Sequence, residues 1–226
     1  MIRTILLFLV FSVIGTQSQL VPPAKRDGFV YRPDHRVEPD TILIEAFFDP
    51  VCPDSRDAWS PLKQALEHYG SHVALLLHLL PLPYHDNAYV TSRALHIVNT
   101  LHANATFSLL EGFFKHQALF YNAQTQLLSR PEVVEKIVKL GVETLGNSYE
   151  HVLKSGFSDK KSDRATRVSF KYSASRGVYG TPTFYVNGFV LADAGSPLDL
   201  GGWRKIIDPL VKPHKEETED KLIFFL

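Results

Sequence analysis

Apolar runs along the chain predict two neighbouring strands in its first half. Residues 41–48 form a short β-branched and aromatic run of strand length. Residues 73–80 form a continuous apolar run that is closed by Pro81 and Pro83. The second run is typical of a central parallel strand that is buried on both faces.

A helix is predicted between these strands, because apolar residues recur there at three- and four-residue steps with charged residues between them. The apolar positions are Trp59, Leu62, Leu66 and Tyr69. The strands and the helix together predict a right-handed βαβ unit. Pro53 suits the first helical position, where its missing N–H costs nothing, so Cys52 is expected at or next to the N-cap.

The second half of the chain predicts a hairpin and a helical middle. An Asn187-Gly188 pair joins two β-rich runs, which predicts strands over residues 183–186 and 189–192. The predicted helices cover residues 87–102, 106–118, 131–145 and 163–176, and a last helix covers 200–211. Asp86 or Asn87 is expected to cap the first of them.

The last helix is expected to complete the core with four inward-facing residues. These are Trp203, Ile206, Ile207 and Leu210.

Cys52 is the only cysteine of the 226 residues, and it lies where a strand runs into a helix. The positive end of the helix dipole and the free backbone N–H groups favour the thiolate there. The acidic Asp54 opposes the thiolate through like charge, and the Ser55 hydroxyl is expected to assist it. The sequence therefore predicts a nucleophilic thiol whose reactivity depends on this balance.

Three segments together resemble the thioredoxin superfamily: a strand ending in Phe-Phe-Asp, the Cys-Pro-x-Ser start at residues 52–55, and Gly-Thr-Pro-Thr-Phe-Tyr-Val-Asn-Gly at residues 180–188. The length and the helical middle are similar to the DsbA-like branch, and the resemblance covers about residues 41–210. It implies an α/β fold with a central mixed sheet flanked by helices. An all-helical insertion, about residues 86–176, would lie between the second parallel strand and the hairpin.

The resemblance also implies roles for residues of two loops. Cys52 would be the catalytic thiol, and Pro182 would be the cis-proline that lies against it and holds a client's extended backbone. Thr181 would present its backbone to the client. Pro53, Asp54 and Thr183 would line the same substrate-binding surface.

The chain departs from the family where the second cysteine of Cys-x-x-Cys would stand, because Ser55 occupies that position. A hydroxyl cannot form a disulfide, so the protein cannot by itself carry an oxidising equivalent as an internal S–S bond. A monothiol cycle is expected instead, in which a client thiol or glutathione releases the mixed disulfide.

Three hypotheses of function follow. The first is a monothiol protein that engages clients by thiol-disulfide exchange, acting as an isomerase or reductase rather than as an oxidase. The second is a redox-inactive thioredoxin-fold module that binds proteins or peptides in the same groove. The third is a glutathione-dependent transferase or isomerase, because kappa-class glutathione transferases share the DsbA-like fold and activate glutathione with a serine.

Each site residue also has a plain structural interpretation. Free cysteine is commonly buried, so Cys52 is also consistent with an inert core residue. Ser55 is also consistent with an ordinary residue of a first helical turn, and Pro182 with a turn proline.

The termini predict a secreted chain of one main domain. Residues 1–18 have the basic start, apolar core and polar end of a signal peptide. An extension over 19–40, the thioredoxin-like domain over 41–211 and a charged tail with an apolar end over 212–226 follow. A secreted, extracellular or vacuole-like location is expected, with no membrane span after cleavage of the signal.

Composition and motifs indicate which kinds of partner to expect. The chain has 24 basic and 24 acidic residues, which gives no reason to expect nucleic acid. Asn104 begins an Asn-Ala-Thr glycosylation sequon. The histidines lack metal-ligand spacing, so no metal is expected; His85 and Asp86 are candidates to line the cleft. Client proteins are the expected partners, with glutathione as a candidate cosubstrate and a Cys52-linked dimer as a further option.

Overall fold

The computed structural model describes residues 23, 25–32, 40–192 and 198–211. The predicted signal peptide, most of the extension over 19–40 and the predicted tail over 212–226 lie outside the described residues.

A five-stranded mixed sheet forms the centre of the fold. Its strands are β1 (Phe29–Val30), β2 (Ile42–Phe48), β3 (Val73–Leu79), β4 (Thr183–Val186) and β5 (Phe189–Val190). The order across the sheet is β1-β3-β2-β4-β5, in which β2 and β3 are parallel and the other pairs antiparallel. The α/β fold class is confirmed, and so is the βαβ unit, because α1 (Pro53–Tyr69) connects β2 to β3.

Six helices form the insertion between β3 and β4. They are α2 (Ala88–Asn99), α3 (Ala103–Lys115), α4 (Asn122–Thr125), α5 (Arg130–Leu145), α6 (Ser148–Ser158) and α7 (Lys160–Ser175). A 3-10 turn, Gln117–Phe120, lies between α3 and α4, and α8 (Leu200–Ile207) follows the hairpin.

Alternation along β2 divides the core between the two faces of the sheet. Ile44, Ala46 and Phe48 belong to the large core that also includes α1 and the insertion. Phe47 faces the other way and belongs to a smaller apolar cluster with Cys52. The ring of Phe47 stacks on His78 of β3, with centroids 4.7 Å apart. The thiol therefore lies against the second face of the sheet.

Several predicted helix positions need correction. Helix α6 was not predicted. Its sequence has one fully buried apolar residue, Leu153, and it contains a glycine, a residue that disfavours helices. Asn87 precedes α2, but its side chain makes no capping hydrogen bond. It is buried instead, and its amide donates to Phe120 O at 2.9 Å and to Thr125 Oγ1 at 2.7 Å.

The hairpin and the last helix are shorter than predicted. β5 ends at Val190 rather than at residue 192. Helix α8 ends at Ile207, and Leu210 is 41% exposed rather than inward-facing. Pro209 lacks an N–H and cannot continue the helical hydrogen bonds, which ends the register that would turn Leu210 towards the core. Trp203 and Ile207 are buried as predicted.

Candidate functional site

Cys52 occupies the N-cap of α1, with Pro53 at the first helical position. Its backbone N–H donates to Asp49 O at 3.1 Å, and its own carbonyl accepts from Arg56 N at 3.2 Å. The strand-to-helix turn therefore fixes the thiol at the positive end of a 17-residue helix, where backbone N–H groups favour an anion.

The thiol meets the loop before β4. Cys52 Sγ donates to Thr181 O at 3.3 Å, although the two residues are 129 positions apart in the chain. The Thr181–Pro182 peptide bond is cis. Thr183 closes the loop, since its hydroxyl donates to Gly180 O at 2.7 Å. The tertiary structure thus brings Cys52, Thr181, Pro182 and Thr183 together.

Cys52 is only 4% exposed. Its sulfur packs in the small apolar cluster formed with Phe47, Leu80, Leu82 and Val178. The sulfur is therefore largely shielded from solvent, so access to the thiol is part of its chemistry.

Ser55 was expected to assist the thiolate, and in the structure its hydroxyl bonds the backbone of the turn. Its side chain is fully buried, and its hydroxyl accepts a hydrogen bond from the backbone N–H of Asp49 at 3.2 Å. Among the hydrogen bonds of the described residues, the thiol pairs with Thr181 rather than with Ser55. Ser55 therefore fastens the turn before Cys52, while Asp54 and Pro53 lie at the outer side of the helix start, exposed and half-buried respectively.

Asp49 was not singled out from the sequence, yet its fully buried carboxylate organises the turn. Oδ1 accepts from Val51 N at 2.9 Å, and Oδ2 accepts from Leu82 N at 3.1 Å. The same Oδ2 lies 2.8 Å from Nδ1 of His85. His85 therefore lies beside the turn that holds Cys52. The sequence signal for Asp49 was its place as a carboxylate ending a buried strand.

Gln117 connects the helical insertion to the site. Its buried amide donates from Nε2 to Pro50 O at 3.1 Å and to Cys52 O at 2.9 Å. Its Oε1 accepts from Tyr121 OH at 2.7 Å. A glutamine after a helix gives no sequence signal of this role.

A second buried polar group lies behind Phe47. His78 bridges two carboxylates, with Nδ1 at 2.8 Å from Asp27 and Nε2 at 3.4 Å from Glu45. Burial opposes the charge of His78, but the two acids prevail and raise its pKa. The pKa of Glu45 is lowered by its hydrogen bond to His78, against burial, and by the nearby Arg176. This network holds an ion cluster under the ring that lines the thiol.

Two exposed tyrosines flank the site. Tyr84 is 61% exposed and Tyr179 is 83% exposed. Desolvation raises the pKa of Tyr84, and the negative charges of Cys52, Asp49 and Asp54 raise it further. Tyr179 stands two residues before Thr181, so each loop that contacts the thiol also presents an aromatic ring.

The structure also bears on the predicted glycosylation sequon, metal sites and membrane spans. Asn104 is exposed in the first turn of α3 rather than between helices, and Thr106 of the sequon is buried. Within the residues that the structure describes, no three metal-binding side chains gather into a possible ion site. In the same part of the chain, no helix has the length and apolarity needed to span a membrane.

Comparisons with known proteins support the fold described above. A sequence model described as Thioredoxin matches residues 39–209. No curated protein sequence matches the chain.

Three solved structures share the fold. A putative protein-disulfide isomerase from Pseudomonas syringae is 21% identical with a TM-score of 0.67, and the match covers 80% of this chain and 98% of that one. The thiol-disulfide exchange protein alpha-DsbA2 from Wolbachia pipientis is 16% identical with a TM-score of 0.60, covering 76% and 83%. MdbA, a thiol-disulfide oxidoreductase from Actinomyces oris, is 17% identical with a TM-score of 0.60, covering 80% and 85%.

Proposed function

The chain belongs to the thioredoxin family, and we propose that it is a monothiol member that engages client proteins of the secretory pathway by thiol-disulfide exchange through Cys52. The observation that supports this most directly is the contact of Cys52 Sγ with Thr181 O, next to the cis bond of Pro182. In it the only cysteine of the sequence lies at a helix N-terminus and against the loop that precedes β4.

The proposed cycle has two exchange steps. The Cys52 thiolate attacks one sulfur of a client disulfide, an S–S bond forms between protein and client, and the other client sulfur leaves as a thiolate. In the second step another thiolate attacks the client sulfur of the mixed disulfide and releases Cys52. A client thiolate in this step gives isomerisation with no net redox change, whereas glutathione in excess gives reduction of the client and oxidised glutathione.

Ser55 determines how the mixed disulfide is released. Because the second position is a hydroxyl, the mixed disulfide has no internal thiol to release it. The adduct is therefore expected to be long-lived, and its lifetime to depend on the concentration of the external thiol.

The test uses the mature chain and scrambled ribonuclease, which carries non-native disulfides. After acid quenching, a non-reducing gel should show an adduct that dithiothreitol removes and that Cys52→Ser abolishes. Ser55→Cys restores a resolving thiol, so the adduct should fall at least several-fold in steady state. Absence of an adduct with both scrambled ribonuclease and glutathione disulfide would overturn the proposal.

A second candidate function rests on the burial of the thiol. Cys52 is 4% exposed, and its proton is engaged by Thr181 O, which suits a binding module that holds an extended peptide without thiol turnover. This function predicts that Cys52→Ala leaves binding of unfolded, disulfide-free protein unchanged while the thiol stays unreactive towards glutathione disulfide. A Cys52-linked dimer, which a non-reducing gel would show, requires the two loops to part.

The secretory location is part of the proposal. It rests on the leader pattern of residues 1–18 and on the exposed Asn104. Expression in secreting eukaryotic cells should give a glycosidase-sensitive mass shift that Asn104→Gln removes. Retention of the full chain inside the cells without cleavage would contradict it.

A further inference from the structure

The pairing of Asp49 with His85 is more than is needed to close a turn. Asp49 is fully buried, and its carboxylate already accepts hydrogen bonds from the backbone of Val51 and Leu82. The His85 ring lies against the same carboxylate but keeps 22% of its side chain exposed. A buried carboxylate therefore holds one nitrogen of an imidazole whose other edge can exchange protons with solvent.

The acid of this pair belongs to the same strand-to-helix turn as the thiol. Asp49 precedes Cys52 by three residues, and its carbonyl accepts the Cys52 N–H at 3.1 Å. Leu82, which donates its N–H to the carboxylate, packs in the same apolar cluster as Cys52. After burial, the negative charges of Cys52 and Asp49 both raise the pKa of Tyr84, so the thiol and the pair lie within electrostatic reach of one side chain.

We propose that His85 is a positioning residue that controls the ionisation of Cys52 by switching the net charge of the Asp49–His85 pair. With His85 protonated, the pair is neutral and does not oppose the effect of the helix dipole on the thiol. With His85 neutral, the pair has one negative charge beside the sulfur, which disfavours the thiolate. The thiolate in turn favours the protonated imidazole, because coupling between two titrating sites is reciprocal.

Other charged groups around His85 do not duplicate this pair. Tyr84 contacts its ring edge-on at 4.9 Å between centroids. Arg130 of α5 donates to the backbone carbonyl of Asp86 at 3.3 Å and to the side chain of Asn87 at 3.1 Å. Asp86 and Asp54 are exposed, where solvent screens their charges. Asp49 is the buried acid in contact with the imidazole, so the switch is assigned to it.

The experiment measures alkylation of Cys52 by iodoacetamide between pH 5 and 9, and needs no client. His85→Gln leaves the buried carboxylate unneutralised at every pH, so the rate near pH 6 should fall on the order of tenfold, as expected for one charge at an effective dielectric constant of about 20. His85→Gln combined with Asp49→Asn removes the charge and should restore most of the rate. His151→Gln, an exposed histidine of α6, is the matched control.

A role limited to fastening the turn predicts the opposite, because the double variant would then be at least as slow as His85→Gln. Circular dichroism and urea unfolding show whether Asp49→Asn is folded. If it is not, NMR titration of the His85 ring decides: its titration midpoint should be higher in Cys52→Asp, which keeps a negative charge at this position throughout the titration, than in the uncharged Cys52→Ser, and equal midpoints overturn the inference.

This inference deepens the proposed function and rests on it, yet the two can fail separately. A missing adduct with scrambled ribonuclease would remove the exchange function while the coupling stood. If the adduct formed normally but His85→Gln and the native protein were alkylated at the same rate, only the role of His85 would be removed.

Discussion

At the scale of single residues, the site depends on polar side chains that are buried and fully used. Asp49 accepts three hydrogen bonds and Gln117 makes three. Each holds the backbone around Cys52 from a different side. Buried polar groups cost free energy when a partner is lost, so these residues tolerate little change.

Gln117→Ala is expected to destabilise the protein, because it leaves the carbonyls of Pro50 and Cys52 without their side-chain donor. The free energy of unfolding should fall by about 1–3 kcal/mol, as measured by urea denaturation. Gln124→Ala removes an exposed glutamine of α4 and should change stability by less than about 0.5 kcal/mol. Equal effects of the two variants would show that Gln117 does not hold the turn.

The residue scale also separates what was predictable from what was not. Cys52 was predicted from its place at the start of a helix, whereas the role of Pro182 was implied by the resemblance to the thioredoxin superfamily. Asp49 and Gln117 were not predicted. Apart from local contacts, their partners lie 33 to 67 positions away in the chain, as for Asp49 with Leu82 and Gln117 with Pro50. No local pattern encodes such pairs.

At the scale of elements, the insertion is held by close packing of short helices. Gly156 of α6 lies so near Ile97 of α2 that a Cβ atom at Gly156 would overlap the side chain of Ile97. Arg93 of α2 strengthens the same contact, donating to Phe157 O at 2.8 Å and to Asp159 O at 2.9 Å. Helix α6 is therefore stabilised by its packing against α2 rather than by its own sequence pattern. This explains why the sequence did not predict it.

Gly156→Ala should lower the free energy of unfolding by about 1–3 kcal/mol through overpacking, despite the higher helix propensity of alanine. Thermal unfolding measures the loss. Gly201→Ala in α8, where an added Cβ would meet no atom nearer than 3.4 Å, is the matched control and should be neutral or stabilising. A stable Gly156→Ala would mean that α6 and α2 can move apart freely.

At the scale of the whole molecule, buried charges connect the two ends of the fold. Asp27, before β1, contacts His78 of β3, while its other oxygen accepts from Ser169 of α7 at 2.5 Å. Arg176 reaches Glu45 of β2 at 3.2 Å. Segments from the start and the late part of the described chain thus meet behind the thiol, and stability depends on pH through them.

His96 gives this dependence a direction. Burial lowers its pKa to about 4, below the value of about 6.5 in an unfolded chain. The folded state therefore holds the neutral ring, so its contribution is fully present above about pH 6.5 and is lost as the pH falls towards 4, by up to about 3 kcal/mol.

Urea unfolding at pH 7 and pH 4.5 checks this expectation. His96→Gln should lose less stability between these two values than the native protein does. His151→Gln, which changes an exposed histidine, should follow the native curve. Parallel curves for His96→Gln and the native protein would contradict a ring that stays neutral in the folded state.

The sequence by itself determined the β-α-β start, the hairpin, the helical middle and the monothiol character, because hydrophobic periodicity, turn residues and residue chemistry are local properties. Only the tertiary structure decided that Cys52 is shielded against Thr181, that Ser55 pairs with Asp49 rather than with the thiol, and that His85 and Gln117 reach the site. These contacts join residues brought together by packing of the whole domain, and burial of a polar group is fixed by all the elements around it.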